Sequence, residues 1–142
     1  MKLVKPGPEH EVPRGILGGS EISQATAGAT NIYMARFRVP AGATRIYMGV
    51  FRVPAGAQSR PHYHEHCESA VYMLSGRLEV RWGDHLEETV EIGRGDMVYV
   101  PPRETHIVVN RSDAEPADYV VARDSPTEDS VEVPWADRPG AP

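Results

Sequence analysis

Residues 60–70 read RPHYHEHCESA, and within them His62, His64, His66 and Glu68 fall on every second position. Successive side chains of a strand point to opposite faces, so an extended backbone projects all four from one side. Two histidines one residue apart, as His62 and His64 are, can hold one metal ion from the same side of a strand. A single strand cannot surround an ion, so a second segment has to close the site. GDMVYVPPRETHIVVN at 95–110 offers one, in which His106 opens an apolar strand after the stiff Pro101-Pro102 turn.

Between and beyond these segments lie SAVYMLSG, RLEVRWGD, ETVEIGRGD, MVYVPP, HIVVN and ADYVVAR. They are apolar runs of about five residues broken by Ser75-Gly76, Gly83-Asp84, the Gly93 to Asp96 stretch and Pro101-Pro102. The pattern describes an antiparallel meander in an all-β barrel or sandwich. Thirteen Gly and thirteen Pro beside only two Phe agree with short strands and many turns.

Upstream, TNIYMARFRVPAGA at 30–43 is followed at once by TRIYMGVFRVPAGA at 44–57, identical at 11 of 14 positions. A period of 14 is even, so both copies keep one strand parity, Tyr33, Phe37 and Val39 matching Tyr47, Phe51 and Val53. Only the second copy leads into the histidines, which places the barrel register there. The first copy reads as an extra edge strand or hairpin, or as a strand that pairs with or swaps into a second subunit. Three regions follow: an arm over 1–28, a barrel over 29–123 and a polar, Pro-rich tail over 124–142, with Trp135 available to dock it.

The chain has 142 residues, about one domain, and 20 acidic against 15 basic residues give a net charge of -5. No basic run favours nucleic acid, and no apolar run approaches the roughly 20 residues of a membrane helix. A cytoplasmic location is expected, with which the single Cys67 agrees. The expected partner is a small molecule, and the expected assembly a homodimer.

The two histidine segments resemble the paired motifs of the cupin superfamily. Gly56, His62, His64, Glu68 and Gly76 stand in the order of the first motif, and Gly95, Pro101, His106 and Asn110 fit the second without a gap. Together they cover 55 residues, over a third of the chain, most like the small single-domain bacterial cupins. The resemblance implies a double-stranded β-helix, or jelly-roll barrel, here with a duplicated N-terminal strand. It also implies a metal centre of His62, His64, Glu68 and His106, with His66 in reserve.

Two departures stand out. Arg103 occupies a position where the motif has Gly, so the turn before His106 lacks an easy positive φ. Seven residues instead of six separate Glu68 from Gly76, and counting back from Gly76 puts the ligand position on Ser69. The forward count from His64 favours Glu68; the backward count turns it outward unless a bulge intervenes.

Each residue also has a plainer reading. The three histidines can be neutral, hydrogen-bonded interior imidazoles, His66 a solvated turn residue, and Cys67 a small buried side chain. Arg60 shares the even-numbered face and either clamps a substrate carboxylate, a catalytic role it would share with Glu68, or reaches water at the barrel mouth. Val71, Met73 and Val108 are the expected apolar lining of the pocket. Three imidazoles and a carboxylate suit Mn, Fe, Ni or Zn without choosing among them. The leading expectation is a metal-dependent enzyme acting on a small polar or carboxylate-bearing molecule, by oxygenase, isomerase, lyase or cyclase chemistry. A non-catalytic module that binds metal or a small molecule is the alternative.

Overall fold

Strand β1 (Tyr47–Val53) shows how the fold is built: Tyr47, Phe51 and Val53 are buried while Met48 and Arg52 face solvent. The apolar residues recur at period two, and burying that set fixes which way every other side chain of the strand points. The computed structural model describes residues 44–125 and 130–134. Eight more strands follow: β2 (His62–His64), β3 (Ser69–Ser75), β4 (Arg77–Trp82), β5 (Glu88–Gly93), β6 (Met97–Val100), β7 (His106–Val109), β8 (Ala117–Arg123) and β9 (Ser130–Glu132). Among the described residues no helix is long and apolar enough to cross a membrane.

The strands form two antiparallel sheets, one in the order β1-β8-β3-β6 and the other β5-β4-β7-β2-β9. Phe51, Val53, Met73, Tyr119 and Val121 from the first meet Leu78, Val80 and Ile92 from the second in one core. Phe51 and Tyr119 stack with ring centres 5.4 Å apart. The first sheet leaves Met48, Tyr72, Leu74, Met97 and Tyr99 exposed on its outer face.

Among the described strands only β4 and β5 are neighbours both in the chain and in a sheet, so the expected meander is replaced by a jelly roll. Alternating apolar runs and short turns look the same whether a turn closes a hairpin or carries the chain to the opposite sheet. The all-β jelly-roll class itself holds. The arm over 1–28 and the first repeat copy at 30–43 lie outside the described residues.

Part of the tail is structured. Ser130, Val131 and Glu132 pair with His64, Tyr63 and His62, adding an edge strand beside the histidines. The short edge of β2 offers unpaired backbone groups, and three residues suffice to satisfy them. Trp135 lies outside the described residues.

Two of the motif positions serve the fold. The Asn110 amide donates to the carbonyls of Val53 at 3.0 Å and Glu115 at 2.8 Å, while its Oδ1 accepts from the Ser112 N–H. Gly76, between β3 and β4, adopts φ +72°, and a Cβ there would stand 2.5 Å from the Pro116 carbonyl oxygen and 2.7 Å from the Ala117 Cα. Both obstacles are backbone and cannot move aside cheaply. Gly76→Ala is therefore expected to destabilise the protein by about 2 kcal/mol or more, read as a lower urea midpoint.

Candidate metal centre

Neighbouring strands bring the site together. His62 on β2 stands directly opposite His106 on β7, with ring centres 4.4 Å apart. His64 lies two residues along the same strand face, its ring 5.3 Å from His62 and 5.6 Å from His106. One ring nitrogen from each comes within 4.8 Å of the others, and no other such group of three or more His, Cys, Asp or Glu occurs among the described residues.

Hydrogen bonds decide which nitrogens are available. The Nδ1 of His62 lies 2.8 Å from the Arg60 carbonyl oxygen, and the Nδ1 of His106 lies 2.7 Å from that of Glu104. A carbonyl only accepts, so each Nδ1 carries the proton and a neutral ring keeps its lone pair on Nε2. His64 Nδ1 meets the Ser130 hydroxyl at 3.1 Å, on the added strand β9. Outer partners of this kind orient histidine ligands and raise their basicity.

The histidines are also held neutral. Burial depresses His106 to about 3, aided by charge on His62 and Arg123. Burial dominates for His64, which is driven lower still, and for His62, whose bond to the Arg60 carbonyl opposes the fall. Neutral imidazole is the form that ligates a metal.

Glu68 stands apart from the three histidines. It is exposed, its carboxylate accepts from the Tyr99 hydroxyl at 3.1 Å, and its N–H donates to Asp124. Ser69 occupies the inward position instead, 4% exposed and accepting from Arg123 Nε at 3.1 Å. The alternation that joined Glu68 to His62 and His64 fails because residues 65–68 turn the chain from one sheet to the other. Parity survives within a strand, not across such a crossing.

His66 is exposed on that turn, and Cys67 is buried. Arg60 is engaged elsewhere: its guanidinium pairs with Glu132 of β9 at 3.2 Å. Arg103 takes φ +63° even without being glycine, held by its N–H to the His64 carbonyl at 2.8 Å and a side-chain pair with Glu65. The turn before His106 thus takes a positive φ although Arg103 stands where the motif has Gly.

A cavity of about 270 Å³ adjoins His106, lined by Val80, Trp82, Val90, Val98 and Val100, with Tyr99, Pro101 and Glu104. It is greasy, as expected, but built from β4, β5 and β6. Val71, Met73 and Val108 instead belong to the core or pack against it. Sequence reading missed Arg123, whose signal was available: Ala117, Tyr119 and Val121 form the buried set of β8, and Arg123 continues it at 7% exposure.

Comparison with known proteins now decides the family, because the Cupin domain matches residues 49–123, more than half of the chain. The chain belongs to the cupins. No curated protein matches it. Among solved structures, this cupin is similar to an uncharacterized conserved protein with a double-stranded β-helix domain from Klebsiella pneumoniae, at TM-score 0.63 and 16% identity over 91% of each chain. It is also similar to a recombinant oxalate oxidase in complex with glycolate, at TM-score 0.55 and 20% identity, covering 61% of this chain and 45% of that one. A sugar phosphate isomerase from the cupin superfamily of Silicibacter pomeroyi matches at TM-score 0.53 and 26% identity, over 63% of this chain and 57% of that one. The cupin thus spans about half the length of the oxidase and the isomerase.

The depressed histidines tie stability to pH. An unfolded chain protonates them near 6.5, whereas folded His106 resists protonation until about 3, so the unfolded state binds more protons in between. The metal-free protein keeps its full histidine contribution above about pH 6.5 and loses it as pH falls toward 3, by up to about 1.4 kcal/mol per pH unit for each such group. Urea midpoints between pH 7 and pH 4 should fall, and His106→Gln should flatten that slope by about one proton.

Proposed function

We propose that this cupin is a metal-dependent enzyme for a small polar or carboxylate-bearing molecule, with His62, His64 and His106 holding one Mn, Fe, Ni or Zn ion. The observation that carries this reading is the convergence of three neutral rings whose Nδ1 atoms are already engaged. Such a donor set fits a divalent transition metal and leaves coordination positions for water and substrate. A metal held there would supply Lewis acidity or, if redox-active, dioxygen chemistry.

The chain's own residues do the rest. The Arg60 and Glu104 carbonyls and the Ser130 hydroxyl hold the rings in position, and the apolar cavity of about 270 Å³ beside His106 offers space for a small molecule. Two structural relatives support the substrate class: one structure is an oxalate oxidase with glycolate bound, the other a sugar phosphate isomerase. Arg60, tied to Glu132, supports an anion clamp less well than the sequence implied. The exposed apolar face of the first sheet favours a homodimer as the assembly.

Elemental analysis of the purified protein tests the reading, and about one ion per chain is expected. His62→Ala and His106→Ala should abolish binding with the fold intact by circular dichroism. Ser130→Ala should weaken binding by about tenfold, the scale of a lost outer partner. Metal-free wild-type protein that takes up none on titration would sink the proposal. Bound metal without turnover, in an oxygen-consumption and isomerisation screen of small hydroxy acids and sugar phosphates, would favour the non-catalytic binding module.

A further inference from the structure

The three histidines leave a gap that Glu68 does not fill, and β9 brings a different carboxylate to the same face. Glu132 is the cross-strand partner of His62, and Ser130 that of His64. Directly opposed residues of an antiparallel pair point to the same side. The His64–Ser130 pair shows it, since their side chains meet at 3.1 Å. His62 is therefore flanked by His106 on one side and by Glu132 on the other.

The two carboxylate oxygens of Glu132 are placed differently. Oε2 accepts from Arg60 Nη1 at 3.2 Å, whereas Oε1 is buried and has no hydrogen-bond partner. A buried carboxylate oxygen without a donor is a costly arrangement that a cation would relieve. Glu68, by contrast, faces solvent, and Glu104 lines the cavity beside His106 with no buried, unpartnered carboxylate oxygen among the described residues.

We infer that Glu132, from the C-terminal edge strand, is the carboxylate ligand of this metal centre, bringing Oε1 to an ion held by His62, His64 and His106. The inference rests on the proposed metal site and extends it. Glu132 stands outside the 4.8 Å histidine cluster, so ligation requires rotation of its side chain about the β9 backbone. Arg60 holds Oε2 while no ion is bound and takes no part in ligation.

Cobalt(II) titration followed by visible absorption tests this on the full-length protein, because band position and intensity report the ligand set without any turnover. Glu132→Gln keeps the length of the side chain and an oxygen for Arg60. It should weaken cobalt binding at least tenfold and shift the spectrum, whereas Glu68→Gln and Glu104→Gln should stay within twofold of wild type. Arg60→Met separates ligation from mere anchoring of Arg60: a ligand Glu132 keeps cobalt affinity within threefold or raises it, while a purely structural pair would make Arg60→Met as damaging as Glu132→Gln. Wild-type affinity and spectrum in Glu132→Gln would overturn the inference and leave the histidine site standing. No cobalt binding by wild type would overturn both.

Discussion

Two backbone carbonyls, those of Arg60 and Glu104, decide what the histidines of this cupin can do. Each lies two residues before the ring it engages, so the chain itself selects the tautomer, and no side chain has to be recruited for it. With Nδ1 protonated and bound, Nε2 is the only lone pair left, and burial keeps it unprotonated. A ring free to rotate would present either nitrogen and lose entropy on binding. These two do not, and the Ser130 hydroxyl engages Nδ1 of the third ring, His64.

The barrel exists to deliver that convergence. β2 and β7 are adjacent in the second sheet, and their single register pair, His62 with His106, sets the spacing. The same sheet accepts β9 at its edge, so a segment distant in sequence supplies Ser130 to His64 and Glu132 to Arg60. On the facing sheet, Arg123 stacks over Tyr47 at 5.1 Å and binds Ser69. Its positive charge lowers the proton affinity of all three histidines. The charge pattern opposes protons and leaves the lone pairs to a metal.

What was legible in the sequence followed one rule, the alternation of side chains along a strand. It placed Tyr47, Phe51 and Val53 in the core, and the spacing of the two motifs identified His62, His64 and His106 as the residues to watch. The rule failed where the chain changes sheets. Glu68 looked aligned with His64, yet the turn between β2 and β3 resets the parity and turns Ser69 inward. The count back from Gly76 contained that answer, because Gly76 is locked by Pro116 and Ala117 and cannot slide. Strand partners were not legible, since a hairpin and a crossing share the same short polar turn. Nor was β9, three residues in a Pro-rich tail whose pairing comes from an open edge and not from their own propensity.

Three imidazoles, unaided by Glu68, are expected to grip one metal ion through Nε2. A crystal of the protein grown with the metal it carries, recorded at that metal's absorption edge, measures this directly. One anomalous peak is expected within about 2.0–2.2 Å of the Nε2 atoms of His62, His64 and His106, with the Glu68 carboxylate still on Tyr99. A peak bound by Glu68, by an Nδ1 atom or by fewer than three of these histidines would contradict it.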